Sequence, residues 1–400
     1  DRIRKEKTIM LNSQKICIIG SGLTGLTIAY LLSRFSLKID IVEQDFNKKK
    51  INPTKIALSK SSLDELCRYG LKDIKKKSNI IKNIYLHDSY SSISLKQDLH
   101  FSVSNKKEAL AYIIDSNTLF SDIYKKLKSL KNIYFINKEI SSINDEKFFK
   151  EITFKDLIKK NYNLIIFASS NNLSLLSRFK LRKVVDKSYN EDAYVFNIFH
   201  EKILNNSARQ FFLKDGPLAF LPVSSTETSV IWSIKNNSIN KKYVSNKKYL
   251  LKFFNSHFKE LFKEIISISE INKFRLNYIF NELKDSKKTL MFGEIANKIH
   301  PIAGQGWNMT LRNIFSLIKV IKYCENLGLE IGNDILIKKY LDETNLNNFT
   351  FATLIDSIRK IFDVKIDSYA YIRKNTLSNL DKNFFIKNNF VNIANKGLFI

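Results

Sequence analysis

The sequence predicts an α/β fold in two domains, and three stretches of it support this prediction. Residues 15–19 read as a buried strand, followed by a glycine-rich turn, a helix with apolar spacing and a second strand at 39–42. From about 183 to 234, short apolar runs are separated by turn residues, which is typical of an antiparallel sheet inserted as a second domain. The stretch 288–313 returns to a short strand, a glycine-bearing loop and a helix.

Glycine is rare in this chain, and it is concentrated in two loops. Six of the 11 glycines lie within residues 20–25 and 293–306, whereas Lys, Ile, Asn and Phe dominate the rest. Glycine is needed where a Cβ atom will not fit, as in tight turns or against a ligand. We therefore expect both loops to be turns or to approach a ligand closely.

The first loop has the spacing of a dinucleotide-binding turn, G-S-G-L-T-G, between a strand and a helix. In such a turn the first glycine bends the chain, the second lets the backbone approach a pyrophosphate, and the third lets the helix pack on the strand. An acid at the end of the next strand binds ribose hydroxyls. An ordinary strand–helix turn is the alternative. The predicted nucleotide-binding residues are Gly20, Gly22, Leu23, Thr24, Gly25 and Glu43.

The chain is strongly basic, with 66 Lys and Arg against 39 Asp and Glu and a formal net charge of +27. This charge favours either attraction to an anionic membrane surface or an acidic partner, or a solvated lysine-rich surface with no partner. The basic residues are spread along the chain and are mostly Lys, which argues against nucleic-acid recognition.

The three cysteines, Cys17, Cys67 and Cys324, are isolated and lack the spacing of a metal site. We therefore expect no metal, reduced thiols and a cytoplasmic location. The sequence contains no run of about 18 apolar residues, so we expect no transmembrane helix. The charged start of the sequence has no apolar signal core.

Apolar periodicity gives the remaining elements. We predict a helix within 53–70 that Gly70 closes, strands within 80–103, an apolar lead and helix at 111–128, a short β-meander at 132–158, a strand at 163–168, a helix from Tyr243 to Ile268, a strand from Thr289 to Phe292, a helix from about Trp307, and a helical tail at 333–400.

The stretch from Gly293 to Asn308, GEIANKIHPIAGQGWN, resembles the second FAD motif of flavoprotein aromatic hydroxylases of the para-hydroxybenzoate hydroxylase type. The likeness is strongest to their ubiquinone-biosynthesis branch, and it covers nearly the whole chain. Residues 53–59, 208–211, 216–222 and 230–232 also resemble characteristic runs of that family. The resemblance implies a Rossmann-like FAD-binding domain of the glutathione-reductase type, an inserted antiparallel substrate domain and a helical C-terminal tail.

The resemblance also implies the residues that hold FAD. Gly293 and Glu294 would approach the ribitol and pyrophosphate, and Pro301 and Gly304 would lie beside the flavin ring. The N–H groups at the start of the following helix would stabilise the negative charge of the reduced ring. The residues implied for the second motif and its surroundings are Lys55, Gly293, Glu294, Pro301, Gly304, Gln305, Gly306, Trp307 and Asn308.

The implied reaction is the hydroxylation of an aromatic ring, with NADH or NADPH reducing FAD and O2 supplying the oxygen atom. The implied substrate is a quinone precursor, a polyprenylated phenol of ubiquinone biosynthesis. The flavin carries this chemistry, so no catalytic side chain is certain. His300, with Pro301 and Gly304, belongs to the flavin-facing loop, and His300 is either a structural or a catalytic member of it.

The sequence departs from the family pattern at several positions. Glu294 stands where the family has aspartate, Asn297 where it has histidine, and Lys55 where arginine is common. Arg312 is followed by Asn313 rather than by an acid. Ala168-Ser169-Ser170 replaces Ala-Asp-Gly, a run that the family uses in flavin and nicotinamide handling.

Two other functions remain open on these departures. One is a degenerate flavoprotein-fold subunit that serves as a non-catalytic partner in a quinone-biosynthesis complex, and the other is an FAD oxidoreductase without oxygen transfer. A peripheral position on the cytoplasmic face of the inner membrane, or in such a complex, also stays open. The expected domains are FAD-binding (13–78, 106–182 and 285–330), substrate (79–105 and 183–284) and C-terminal helical (331–400).

Overall fold

The computed structural model describes residues 14–44, 46, 54–90, 92–103, 108–169, 175, 181–283, 287–364 and 366–398, with Ala303 and Asp367 described without their side chains. Pro53 of the predicted 53–59 run and Ser170 of the Ala-Ser-Ser run lie outside the described residues. So do the charged N-terminal residues and the last two residues of the tail.

Twenty strands and ten α-helices are described. The strands are β1 (Lys15–Ile19), β2 (Lys38–Glu43), β3 (Lys55–Ser59), β4 (Asn79–Ile81), β5 (Asn83–Ser89), β6 (Leu99–Ser102), β7 (Ala111–Asp115), β8 (Ile133–Asn137), β9 (Ile140–Asp145), β10 (Lys150–Phe154), β11 (Lys159–Tyr162), β12 (Leu164–Phe167), β13 (Leu181–His200), β14 (Ser207–Leu213), β15 (Gly216–Ser224), β16 (Glu227–Lys235), β17 (Ile265–Ile268), β18 (Asn272–Leu283), β19 (Thr289–Met291) and β20 (Asn297–Lys298). The helices are α1 (Leu23–Leu32), α2 (Lys60–Arg68), α3 (Asp73–Lys76), α4 (Ser116–Lys128), α5 (Lys241–Val244), α6 (Lys247–Phe262), α7 (Gly306–Asn326), α8 (Asp334–Asp363), α9 (Asp367–Lys382) and α10 (Phe384–Lys396).

A parallel sheet of five strands, in the order β19-β12-β1-β2-β8, carries both glycine loops at its strand ends. Strand β1 is apolar and buried after its first residue, Lys15, because the sheet is covered on both faces. Ile16 and Ile18 face a core that α1, α4 and α7 share, whereas Cys17 and Ile19 face a second core formed with β9, β10 and β11. The strands β11-β10-β9 form their own antiparallel sheet, so only β8 of the predicted β-meander joins the parallel one.

The large sheet has the order β20-β18-β13-β16-β15-β14-β5-β6, with β17 also paired to β13. One face is covered by α6, whose Phe254 and Phe258 pack with Trp232 and Phe220 in an aromatic core. The sheet was predicted to be antiparallel, and this is wrong at one pair: β5 runs parallel to β14. The pairing joins segments that are far apart in sequence, and local periodicity does not fix its direction.

Strands form inside two predicted helices and in the apolar lead before a third. The predicted helix at 53–70 begins only at Lys60, and residues 55–59 form β3. The predicted helix from Tyr243 to Ile268 ends at Phe262, after which β17 pairs with β13. The apolar lead at 111–115 is β7, which pairs with β3 and β4 in a small antiparallel sheet. In each case the apolar run is too short to distinguish a strand from a buried helical turn.

The C-terminal tail is helical, as predicted, and it contacts α7, α2 and strand β5 of the large sheet. Helix α8 packs on α7 through Phe351 and Ile355 around Met309. Helix α9 is joined to β5 by a buried two-point ion pair, in which Arg373 Nε lies 2.7 Å and Nη2 2.8 Å from the oxygens of Asp88. Near the end of α10, the backbone oxygen of Asn395 accepts from Ser61 Oγ. The tail therefore bridges the two parts of the fold.

Candidate functional site

The first glycine loop divides its three glycines between packing and an open surface. Gly20 has a φ of +115°, and its N–H donates to Val42 O at 2.9 Å. A Cβ atom there would lie 2.6 Å from Ser169 Cβ, and one at Gly25 would lie 1.9 Å from Gly20 O. A Cβ atom at Gly22 would meet nothing within 4 Å. Gly20 and Gly25 are thus required by packing, whereas Gly22 leaves room for a ligand.

Helix α1 begins directly on this open side. Gly22 is its N-cap and contributes no side chain, so the first-turn N–H groups at Leu23 and Thr24 lack a side-chain cap. Such N–H groups and the positive end of the helix dipole are suited to an anionic group. Neither residue brings a charge of its own.

Glu43 ends β2 beside the glycine loop. Its Oε2 accepts from both the N–H and the Oγ of Ser21, each at 3.0 Å. Ser21 therefore holds the carboxylate next to the loop, where an acid is expected to meet ribose hydroxyls. The role of Ser21 was not predicted, because serine at this position carries no pattern of its own.

The second glycine motif touches the first one. Gly293 follows β19 with a φ of +76°, and a Cβ atom on it would lie 3.0 Å from Thr24 Oγ1 on α1. The two stretches that glycine content singled out, about 270 residues apart, thus meet at one edge of the parallel sheet. Glu294 points outward instead: its side chain is 70% exposed, and Oε2 lies 3.4 Å from Lys298 Nζ.

The loop from Pro301 to Gln305 leads into α7, which begins at Gly306, one residue before the predicted start. Gly304 has a φ of +61° and lies against Ala57 of β3. A Cβ atom at Gly304 would lie 3.0 Å from Ala57 Cβ. A Cβ atom at Gly306 would meet nothing within 4 Å. This second open glycine again stands at a helix N-terminus.

Two buried polar atoms at this helix start have no hydrogen-bond partner among the described residues. They are Gln305 Oε1 and Trp307 Nε1. A buried polar atom without a partner is costly, so such atoms commonly face a ligand or ordered water. Together with the open sides of Gly22 and Gly306, they fit a dinucleotide cofactor that lies across the sheet edge.

Asn308 and Lys55 were predicted to bind the cofactor, and both side chains make protein contacts. Asn308 Oδ1 accepts from Ser59 N at 2.9 Å, and its Nδ2 donates to Ala57 O at 2.9 Å and to Gly304 O at 3.3 Å. Lys55 Nζ lies 3.0 Å from Asp115 Oδ2 and 3.9 Å from Glu227 Oε1. Asn308 thereby ties β3 to the flavin-facing loop.

His300 is fully buried, and its partners come from distant parts of the chain. Its Nε2 lies 3.1 Å from Glu191 Oε2 on β13, and its Nδ1 accepts from Ile302 N at 3.3 Å. Arg359 on α8 binds the other oxygen of Glu191. Burial lowers the pKa of His300, which favours the neutral ring. Sequence reasoning gave no role to Glu191 or Arg359: Glu191 lies in a run, residues 189–193, that matches the family's usual run only loosely, and Arg359 lies outside the motifs.

The departures from the family pattern have local explanations in part. Ser169 is small enough to lie directly against Gly20. Arg312, which has no acid after it, is buried with its guanidinium 4.7 Å from the centre of the Phe351 ring. Burial lowers the pKa of Arg312 to about 10. The described residues contain no group of three or more His, Cys, Asp or Glu that could hold a metal.

Comparison with protein families gives a match to the squalene epoxidase family over residues 191–393, just over half of the 400 residues. The chain belongs to the squalene epoxidase family. The matched range runs from Glu191 through the second glycine motif and most of the helical tail. It therefore includes His300 and Arg359 together with their shared partner.

The relatives that this chain resembles in sequence include proteins named for ubiquinone biosynthesis. The chain is 22% identical to the ubiquinone biosynthesis monooxygenase COQ6, mitochondrial, of Dictyostelium discoideum, over 88% of this chain and 85% of the relative. It is 21% identical to the ubiquinone hydroxylase UbiL of Rhodospirillum rubrum, over 90% and 84% respectively. The resemblance to flavoprotein hydroxylases of the ubiquinone branch is thereby confirmed.

Solved structures agree on the fold. The p-nitrophenol 4-monooxygenase PnpA of Pseudomonas putida superposes with a TM-score of 0.76 at 12% identity, covering 97% of this chain and all of that one. HpxO of Klebsiella pneumoniae, crystallised with FAD and uric acid, gives a TM-score of 0.71 at 14% identity, covering 96% and 97%. The predicted fold class is confirmed, since both structures superpose over nearly the whole of this chain.

Proposed function

We propose that this chain is an FAD-dependent monooxygenase that hydroxylates the aromatic ring of a polyprenylated phenol in ubiquinone biosynthesis, with O2 and NADH or NADPH. The observation that carries the proposal is the contact between the two glycine motifs, Gly293 against Thr24, with open glycines on both sides of it. The names of the relatives support the reaction and the pathway. The reductant rests on the resemblance alone.

FAD, when bound, supplies the redox chemistry and the activation of O2. The residues of the chain would position it. The open side of Gly22 and the N–H groups at the start of α1 would bind the pyrophosphate, and Glu43, already held by Ser21, would accept from ribose hydroxyls. The start of α7 would stabilise negative charge on the reduced ring, because helix N-termini carry a partial positive charge.

An apolar contact between the small sheet of β3, β7 and β4 and the large sheet would keep water from the reacting centre. Ala57 of β3, beside Gly304, belongs to a small cluster with Ala208, Leu221 and Val223 of the large sheet. Such a wall strengthens electrostatic interactions and limits wasteful release of oxygen species to water. It also suits a substrate with an apolar tail.

The first experiment measures flavin binding. The purified protein should show flavin absorption or gain it on titration with FAD, whereas a protein that never gains it would leave only the non-catalytic subunit. Gly22→Val should abolish flavin retention without unfolding the chain, because a Cβ atom at this position would meet no protein atom within 4 Å. Ser141→Val, on an exposed strand position of β9, is the matched control and should retain flavin.

The second experiment separates oxygen transfer from reduction alone. The FAD-loaded protein is given NADH or NADPH, a polyprenylated phenol in detergent and O2 labelled with a heavy isotope. A product that carries one labelled oxygen supports the monooxygenase. Oxidation of the nicotinamide with an unlabelled product would instead identify an oxidoreductase without oxygen transfer.

We further propose peripheral association with an anionic membrane surface. The described part of the chain contains no helix that is long and apolar enough to span a membrane. The tail nevertheless exposes large apolar side chains on α9 and α10, among them Tyr371 at 70%, Phe384 at 67% and Phe385 at 74%. Combined with a net charge of +27, this face is suited to an interface with acidic lipids.

Vesicle sedimentation tests this association. The protein should bind vesicles that contain phosphatidylglycerol more tightly than vesicles of phosphatidylcholine alone, and less at high salt. The double variant Phe384→Ser/Phe385→Ser should lose most of the binding, whereas Leu204→Ser, 87% exposed in another part of the fold, should not. Equal sedimentation of both variants would rule out the tail as the contact and leave a quinone-biosynthesis complex as the alternative anchor.

A further inference from the structure

Three ionisable side chains from three elements meet behind the flavin-facing loop. Glu191 is 1% exposed and His300 is 0% exposed, and the side chain of Arg359 is 10% exposed. Isolated charges are expensive to bury, and a buried ion pair is often no more stabilising than apolar residues of the same volume. A gain in folding stability therefore does not explain why this cluster is charged rather than apolar.

A distortion of β13 delivers Glu191 to the loop. The pairing of β13 with β18 shifts register between Ser188 and Asp192, and Asn190 has a φ of +55°. Bulges of this kind re-aim side chains and are common beside functional sites. The left-handed conformation of Asn190 has a free-energy cost that the surroundings must offset. The strand is thus bent at the point where it meets the loop.

The hydrogen bonds of His300 fix its tautomer. Nδ1 accepts from the backbone N–H of Ile302, so it carries no proton, and Nε2 must donate to Glu191 Oε2. The neutral imidazole therefore connects the backbone of the loop to a carboxylate on the large sheet. Both ring nitrogens are used within the protein, which leaves no proton on His300 to give to a substrate.

Arg359 completes the anchor from α8. It binds the second oxygen of Glu191, and its guanidinium lies 4.6 Å from the centre of the Tyr189 ring. Tyr189 in turn meets His300 edge-on, with ring centres 5.1 Å apart. Burial raises the pKa of the Glu191 carboxyl, but the hydrogen bonds from His300 and Arg359 outweigh it and lower that pKa overall. Glu191 is therefore ionised and held at both oxygens.

We propose that Glu191 and Arg359 are positioning residues that hold the flavin-facing loop, residues 301–305, in its binding conformation through His300. The proposal rests on the proposed flavin function. It makes the loop dependent on two other parts of the fold, the substrate-side sheet and the C-terminal helix α8. Glu191 contacts His300 directly and Arg359 contacts Glu191, so the described contacts of both residues reach the loop through His300.

The first test needs no cofactor. Hydrogen exchange of peptides that cover residues 299–306 is compared in the wild type and in Glu191→Gln, which keeps the shape but removes the charge. We expect exchange about tenfold faster in this loop and unchanged in β1 and α4, because about 1.4 kcal/mol of lost restraint is a tenfold change in an opening equilibrium. Unchanged exchange in the loop would overturn the proposal.

The second test measures flavin binding and its spectrum. In Glu191→Gln we expect FAD to bind about tenfold more weakly and its visible circular dichroism to change. In Arg359→Lys, which keeps the charge but loses the fork, we expect changes in the same direction but smaller. Lys338→Gln is the matched control, since it removes an exposed charge at another position of α8. Wild-type affinity and spectrum in Glu191→Gln would refute the positioning role.

The two tests separate this proposal from the flavin function itself. A wild type that binds no FAD would refute the flavin function while the exchange experiment still tests the anchor. A variant that does not fold is replaced by Arg359→Lys in both measurements. If that variant matches the wild type in exchange and in flavin affinity, Arg359 has no positioning role.

Discussion

Replacing Asn308 with alanine is expected to destabilise the fold strongly, because this side chain holds β3 and the flavin-facing loop together. It makes three hydrogen bonds, to Ser59 N, Ala57 O and Gly304 O, at 2.9, 2.9 and 3.3 Å. Asn308 is 1% exposed. Its removal leaves at least two backbone groups without a partner, away from water.

The magnitude can be worked out from those lost partners. Each buried group that loses its partner costs about 1–3 kcal/mol, so two of them give a loss of about 2–6 kcal/mol in the free energy of unfolding. Urea denaturation followed by circular dichroism measures this loss. Asn308→Asp keeps the oxygen that accepts from Ser59 and loses both donors, so it tests whether the donors matter. We expect it to remain destabilised.

Asn389→Ala, at an exposed position of α10, is the control and should change stability by no more than about 0.5 kcal/mol. A loss below about 1 kcal/mol in Asn308→Ala would refute the reasoning. It would mean that water replaces the side chain, and that the loop is held mainly by other contacts.

Three further predictions concern packing and charge. Gly25→Ala should lower the thermal midpoint by several degrees in a thermal unfolding scan, because its Cβ would lie 1.9 Å from Gly20 O; an unchanged midpoint would show that the loop relaxes freely. Burial lowers the pKa of His87 to about 4, so the unfolded chain binds the proton first. Stability should therefore fall as the pH drops from about 6.5 toward 4, by up to about 3 kcal/mol, and His87→Gln should flatten this part of the urea-midpoint profile. Arg373→Ala should leave Asp88 buried and unpaired at a cost of about 3–5 kcal/mol. Limited proteolysis should then cut α9 first, and a wild-type cleavage pattern would show that other contacts hold this helix.

The parallel sheet and the first loop could be predicted from sequence because their signals are local. Strand β1, the G-S-G-L-T-G turn and Glu43 lie within about 30 residues, and each residue has a fixed role in such a turn. The motif gave the second and third glycines different roles, and the packing agrees with them: Gly25 is required by packing, whereas Gly22 faces open space.

The anchor behind the flavin-facing loop could not be predicted, because its parts are far apart in sequence. Glu191 and Arg359 are separated by 168 residues. The run that contains Glu191 matches the family only loosely, and an acid on a strand or an arginine on a helix is ordinarily a surface residue. Asn308, which lies in a motif, makes its described hydrogen bonds to backbone groups, and its contact with the cofactor stays a prediction.

Strand β20 makes the inserted sheet depend on a segment beyond its own C-terminal end. Its two residues, Asn297 and Lys298, pair with Phe280 and Ile279 of β18 and so close one margin of the large sheet. A chimaera that transplanted residues 181–283 alone would expose the backbone groups of β18 that β20 now satisfies. Exposed strand margins of this kind invite pairing with other chains. A graft intended to change substrate preference should therefore include β20, which leads directly into the flavin-facing loop, so specificity and cofactor geometry would be inherited as one unit.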